Sequence, residues 1–300
     1  GSASMGNILT KQFYRQRKDF EDSCAGRDVG LTFPEGVRCS TDIAYADDGI
    51  KAHVLDIYRP EDSQEKILPV IINVHGGGLI IGNKEFNRYF CALLCKKGFL
   101  VYSIEYRLIP DCLIYDQIAD VFMAMDYIKE RLAADGGDSS HVYMAGDSGG
   151  ACLITYVNAI QNSTNIARAA NVTPSGLRIN ALGLISGMFY TSRFDKIGLF
   201  LPKYLYGRDY KKTPFAKYVN LENRELLNSL APVWLVTSHN DFLRRYTTDF
   251  EKALTRAERE HELVVFPKNK KLTHAFSVFE PFMPESGAVI DMMVEYLRKF

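Results

Sequence analysis

The order of apolar runs along this chain predicts an α/β fold: a mostly parallel central sheet, helices on both faces and an antiparallel hairpin toward the N-terminus. Three observations carry that expectation. Short apolar runs alternate with helical patterns from Pro69 onward. Two strand-like segments joined by a turn precede them. The 300 residues, 47% hydrophobic and 24% charged, are enough for one extensive core, so a single domain spanning 1–300 is expected. The same composition excludes collagen-like, disordered and low-complexity classes. No apolar run approaches the ~18 residues of a membrane span, so no membrane partner is expected. Lysine plus arginine equals aspartate plus glutamate, 36 against 36, which leaves no net positive field and argues against nucleic acid.

Residues Gly1–Ser4 read as an expression scar, with Met5 as the expected native start. Met5-Gly6-Asn7-Ile8-Leu9-Thr10 fits the loose myristoylation pattern, which short sequences often meet by accident. No secretory apolar segment follows, and a cytoplasmic location is the default. The stretch to about Gly30 is polar and charged with Phe13, Tyr14 and Phe20 interspersed, and predicts one or two short amphipathic helices. Strands are expected over Arg38–Ala46 and His53–Arg59, turned by Asp47-Asp48-Gly49. The buried parallel strands are expected at Val70–Val74, Phe99–Ile104, Val142–Ala145, Ala181–Ile185, Val233–Thr237 and Leu263–Phe266. Helices are expected at Tyr115–Ala134, Gly149–Gln161, Leu243–Glu258 and Ser286–Lys299.

Between Phe189 and Tyr218 the alternation breaks. Nine of these thirty residues are aromatic, against 12% for the chain, and no strand-like run lies among them. An aromatic-rich insertion between two sheet strands predicts a cap over a ligand pocket, formed by residues 187–227 together with the N-terminal segment 5–35. The six cysteines, at 24, 39, 91, 95, 112 and 152, show neither CxxC pairs nor a disulfide spacing, and read as reduced packing residues. Cys91 and Cys95 are i and i+4 on an expected helix.

Two motifs carry chemistry. Gly146-Asp147-Ser148-Gly149-Gly150 places G-x-S-x-G between a short apolar strand and a helix. Small residues on either side let the chain turn sharply, so the Ser148 hydroxyl stands exposed with a helix N-terminus behind it. The letters GDSGG also mark chymotrypsin-like proteases, but those are β-barrels with their histidine and aspartate upstream, whereas the upstream chain here alternates β and α. Asn73-Val74-His75-Gly76-Gly77-Gly78 ends an apolar strand in three glycines, whose amides can converge on one point as an oxyanion hole requires. A phosphate loop is disfavoured because neither GxGxxG nor GK[ST] is present.

With these residues, the chain resembles an α/β-hydrolase of the hormone-sensitive-lipase-like esterase group. Glu105-Tyr106-Arg107-Leu108-Ile109-Pro110 is similar to the group's D-Y-R-L-A-P, Asp241-Phe242-Leu243 to its D-x-L, and His274-Ala275-Phe276 to its H-G-F. The resemblance runs from about residue 40 to the end. Departures are Ala275 for glycine, GDSGG where GDSAG is commoner, and a poor match after Pro110. The resemblance implies the α/β-hydrolase fold and the triad Ser148, Asp241 and His274.

Strand ends point to the same triad, since catalytic loops of an open parallel sheet follow its strands. Of six histidines, only His239 and His274 follow strands without belonging to the glycine loop. His239 lies too near Asp241 for that acid to orient it, which favours His274. Asp249 is expected inside a helix, and Asp147 is expected to brace the turn at Ser148. The oxyanion hole is expected from the amides of Gly77, Gly78 and Gly149. The expected function is a serine carboxylesterase for short- to medium-chain acyl esters, with a small-molecule ester as partner, no metal or organic cofactor, and a homodimer as an open possibility. An amidase or peptidase on the same scaffold is one alternative, and a non-catalytic ligand receptor of the same fold is another. Lys268, Lys270 and Lys271 precede His274 and read as a solvated loop.

Overall fold

The computed structural model describes residues 2–63 and 65–300; of the segment Gly1–Ser4, Gly1 lies outside them. Eight strands form one sheet: β1 (Val37–Ala44), β2 (Val54–Pro60), β3 (Leu68–Val74), β4 (Leu100–Ile104), β5 (Gly137–Asp147), β6 (Ala181–Ile185), β7 (Val233–Ser238) and β8 (His261–Phe266). Their order across the sheet is β1-β2-β4-β3-β5-β6-β7-β8. The β1–β2 and β2–β4 pairs are antiparallel and all others parallel, as the alternating pattern predicts.

The helices are α1 (Ser2–Asp28), α2 (Arg88–Lys96), α3 (Ile114–Arg131), α4 (Gly149–Gln161), α5 (Thr164–Ala170), α6 (Lys196–Phe200), α7 (Pro202–Tyr206), α8 (Arg224–Asn228), α9 (Arg244–Arg256), α10 (Phe276–Phe279) and α11 (Pro284–Leu297). Side chains alternate across the strands, so the sheet feeds two cores. Ile72, Met144, Leu184 and Leu235 join the core that holds α3, α4 and α9, while Ile71, Tyr143 and Trp234 join the one that holds α2 and α11. Each such Ile or Leu, fully removed from water, stabilises the fold by about 1.5–3 kcal/mol. Helix α4 is apolar nearly all round and wholly buried up to Ile160, which suits a helix packed between the sheet and outer elements.

The N-terminal segment differs from expectation. It forms one helix of 27 residues rather than one or two short ones. Phe13, Phe20 and Cys24 mark one face, with Phe13 against Tyr204 of α7 and Phe20 against Phe86, at ring-centroid distances of 5.1 and 4.8 Å. Arg17 fastens the middle of the helix by donating to the Ile80 and Ile109 carbonyls and to Asp111. Arg27 fastens its end, donating to the Phe86 and Val278 carbonyls while its guanidinium lies 3.8 Å from the Phe86 ring centroid. Tertiary anchors of this kind extend a helix whose own amphipathic pattern is weak. Between β6 and β7, the aromatic segment contains only short helices, α6 to α8. All six cysteines are free thiols.

Candidate active site

Four loops at the carboxyl ends of strands β3, β5, β7 and β8 build the site. Strand β5 ends at Asp147, α4 begins at Gly149, and Ser148 between them has φ +50° and ψ −119°. Such a conformation costs a non-glycine residue of order 1–3 kcal/mol and persists only where the surroundings impose it. Here the Ser148 N–H donates to the Ile185 carbonyl, and its own carbonyl accepts from Ala151 and Met188. The flanking glycines are required by space. A Cβ on Gly150 would lie 2.1 Å from the Val74 oxygen, and one on Gly146 would lie 2.5 Å from the same atom.

His274 Nε2 is 3.0 Å from Ser148 Oγ, and its Nδ1 is 2.7 Å from Asp241 Oδ1. The loops bearing Asp241 and His274 are tied together by an Asn240–Thr273 bridge and by Ser238 Oγ donating to the Leu272 carbonyl. Burial would raise the Asp241 carboxyl, but the His274 contact, the Leu243 N–H and the Thr237 hydroxyl outweigh it and hold the group below its ordinary value. Ala275 occupies a left-handed conformation, φ +51°, which glycine would adopt with less strain. Its N–H donates to Ser186 Oγ.

The glycine loop follows β3, whose Val74 pairs with Gly146 of β5. This register sets the loop beside Ser148. A Cβ on Gly149 would lie 3.0 Å from the Gly78 nitrogen and 2.9 Å from that of Leu79, so the start of α4 is packed directly against the glycine loop. The amides of Gly77, Gly78 and Gly149 donate to no acceptor among the described residues. Asp147, buried beneath them, accepts from the Gly76 N–H and from Asn87 Nδ2, and burial raises its carboxyl. Its side chain thus ties the end of β5 to the glycine loop and to Asn87, whereas the sequence predicts bracing of the turn at Ser148 itself.

His75 makes no hydrogen bond to Ser148 among the described residues. Its Nδ1 lies 2.7 Å from the Gly76 oxygen and its Nε2 3.0 Å from Glu105, while the ring stacks on Tyr106, whose hydroxyl donates to the His75 carbonyl. Burial alone would lower this imidazole, but Glu105 reverses the shift and raises it. His239 instead contacts Arg244, and Asp249 pairs with Arg193. Lys268, Lys270 and Lys271 are exposed and lie outside the lining of the site's cavity.

A cavity of about 700 Å³ opens over Ser148 and His274. Its walls are largely apolar: Phe86, Met188, Ile197, Leu201, Phe242 and Phe279, among others, line it. Helix α1 supplies Leu9, Gln12, Phe13, Gln16 and Phe20, residues that no catalytic motif singles out. The recurrence of apolar residues at 9, 13, 20 and 24 is the sequence signal for that face. Phe242 was also missed as a lining residue; its ring sits 4.6 Å from the His274 ring.

Known proteins share this architecture. Esterase B from Lactobacillus Rhamnosis superimposes with a TM-score of 0.91 at 23% identity, covering 99% of this chain and 96% of that one. A hyperthermophilic esterase from Pyrobaculum calidifontis gives a TM-score of 0.71 at 22% identity, covering 96% and 93%. At such identities the likeness speaks for the fold alone. In sequence, the isoprenylcysteine alpha-carbonyl methylesterase of Arabidopsis thaliana is 31% identical over 133 residues, 44% of this chain and 31% of that protein. The chain spans less than two thirds of the length of the curated relatives it matches. A family model for the alpha/beta hydrolase fold matches residues 71–277, well over half of the chain and every loop described above. The chain thus belongs to the α/β-hydrolase fold family, as its motifs and strand order imply.

Proposed function

We propose that this chain is a serine-dependent carboxylic ester hydrolase acting on short- to medium-chain acyl esters. The observation that carries the reading is the hydrogen-bonded line Asp241–His274–Ser148, which ends in an apolar cavity beside unpaired backbone amides. Ser148 Oγ attacks the ester carbonyl while His274 Nε2 takes its proton. Asp241 keeps the imidazole oriented and stabilises the imidazolium. The amides of Gly77, Gly78 and Gly149 receive the oxyanion, and each such donor lowers the barrier by roughly 3–4 kcal/mol. His274 then protonates the leaving alcohol, and a water deprotonated by His274 releases the acid from the acyl-enzyme.

Helix α1 and residues 187–227 act as the cap over this chemistry, since both contribute cavity walls. A volume of about 700 Å³ lies within the roughly 300–1,000 Å³ typical of small-molecule sites. The apolar lining favours neutral acyl groups over charged ones. Hydrolysis of p-nitrophenyl acetate, butyrate and octanoate by wild type and Ser148→Ala tests the reading. Wild type is expected to turn over the shorter esters and to be labelled by a serine-directed phosphonate, while the variant does neither. Equal inertness of both proteins, without labelling, refutes it.

A further inference from the structure

The mouth of the cavity carries an unusual surface. Phe194 is 95% exposed, Phe242 75% and Ile8 62%, and Leu199, Phe200 and Phe279 are exposed as well. Three of these six, Phe200, Phe242 and Phe279, also line the cavity. Ile8 adjoins the lining residue Leu9 on α1, while Phe194 and Leu199 flank the lining pair Lys196 and Ile197. Three of the six therefore rim the opening and the other three lie within two residues of its lining, where single exposed apolar residues scattered over the surface would call for no explanation.

We infer that this collar is the surface by which the protein settles on aggregated apolar ester at a lipid–water interface, with the cavity mouth facing the lipid. The occupant follows from the continuity of collar and cavity. A protein partner seated on Phe200, Phe242 and Phe279 would plug the opening above Ser148. A lipid phase covers the same side chains and delivers substrate through them. Charge agrees with this choice. Helix α1 has no acidic residue before Asp19, and its exposed Lys11, Arg15 and Lys18 fall on one helical stripe. The exposed Lys196 at the mouth favours an interface bearing negative charge, and the α1 stripe, turned away from the cavity-lining Leu9, Phe13 and Gln16, adds long-range attraction toward it. The contact is peripheral: among the described residues no helix is long and apolar enough to cross a membrane.

The delivery of substrate rests on the proposed esterase reading, but attachment to lipid does not, so the two are measured separately. The test uses the full chain and the double variant Phe194→Ser/Leu199→Ser, which leaves the cavity lining intact. Wild type is expected to sediment with phosphatidylcholine vesicles, more so when phosphatidylglycerol is included. The variant should lose about tenfold in bound fraction. Its rate on dissolved p-nitrophenyl acetate should stay within about twofold of wild type, while its rate on emulsified tributyrin falls about tenfold. Vesicle binding that is absent in wild type or unchanged in the variant overturns the inference. So does a wild-type dimer that the double substitution dissociates, because the collar then belongs to a second copy. If the esterase reading alone is wrong, vesicle binding persists and neither ester is hydrolysed.

Discussion

Replacing Asp241 by asparagine removes one charge from the site while nearly preserving its shape. The side chain is buried, with Oδ1 2.7 Å from His274 Nδ1 and 2.9 Å from the Leu243 nitrogen, and Oδ2 2.8 Å from Thr237 Oγ1. An asparagine that keeps its oxygen toward His274 retains the first two contacts, and the Thr237 hydroxyl can rotate to accept from the new amide. What is lost is the carboxylate facing the imidazolium that forms as Ser148 attacks. Two unit charges about 4 Å apart in an effective dielectric of about 20 interact by about 4 kcal/mol, or about three decades in rate. If the amide turns its nitrogen to His274 instead, the ring is held in the wrong tautomer and the loss approaches 10⁴. Steady-state hydrolysis of p-nitrophenyl butyrate by Asp241→Asn should therefore show kcat reduced by about 10³ to 10⁴ in a variant that still folds. A loss below about tenfold in a folded variant would refute the role assigned to Asp241.

Three further outcomes follow from the geometry. Because the folded-state Asp241 carboxyl is held below its ordinary 3.8, its ionised form contributes stability above about pH 4 that is lost as pH falls through the depressed value. Urea unfolding of Asp241→Asn should accordingly show a shallower loss of stability below pH 4 than wild type. Gly150→Ala places a Cβ 2.1 Å from the Val74 oxygen and 2.6 Å from that of His75, contacts that backbone alone can relieve. It should cost about 3 kcal/mol or more in denaturant unfolding, and an unchanged midpoint would count against the tight turn. Arg17→Ala removes three hydrogen-bonded partners of α1 and should loosen that wall of the cavity. KM for octanoyl esters is expected to rise by about tenfold, more than for acetyl esters, and equal effects on both would separate α1 from substrate binding.

The parts of the fold that the sequence discloses are those whose burial is complete. Strand β6 and helix α4 have the predicted boundaries because both are enclosed, so that every position is constrained by the core. The side chains that meet in the candidate site, Ser148, Asp241 and His274, are legible as well, since each follows a strand and carries a distinctive residue type. What the sequence hides is pairing over long separation. Nothing near Lys84 indicates that its ammonium is buried against Asp42, Asp56 and Glu85, where the first two partners come from β1 and β2. Helix α1 was underestimated for the same reason: its length depends on Asp111, Phe86 and Val278, far along the chain. Its cavity face mixes Gln12 and Gln16 with Leu9 and Phe13, which blurs the apolar period. Phe242 escaped notice because it lies between Asp241 and Leu243, whose motif roles explain the segment without it.

The pairing of Val74 with Gly146 joins residues 72 positions apart and acts as the ruler of the reaction centre. Each residue along a parallel strand advances about 3.3 Å, so a two-residue slip, the smallest that keeps the same side chains on the same face, would move the glycine amides about 6.6 Å past Ser148. No adjustment of a side chain spans that gap. The distance between Ser148 and the glycine amides is thus written in the hydrogen-bond ladder of the two central strands. The helix and the aromatic segment above the cavity stand outside that ladder, so a change in either can reshape the cavity while this spacing stays as it is.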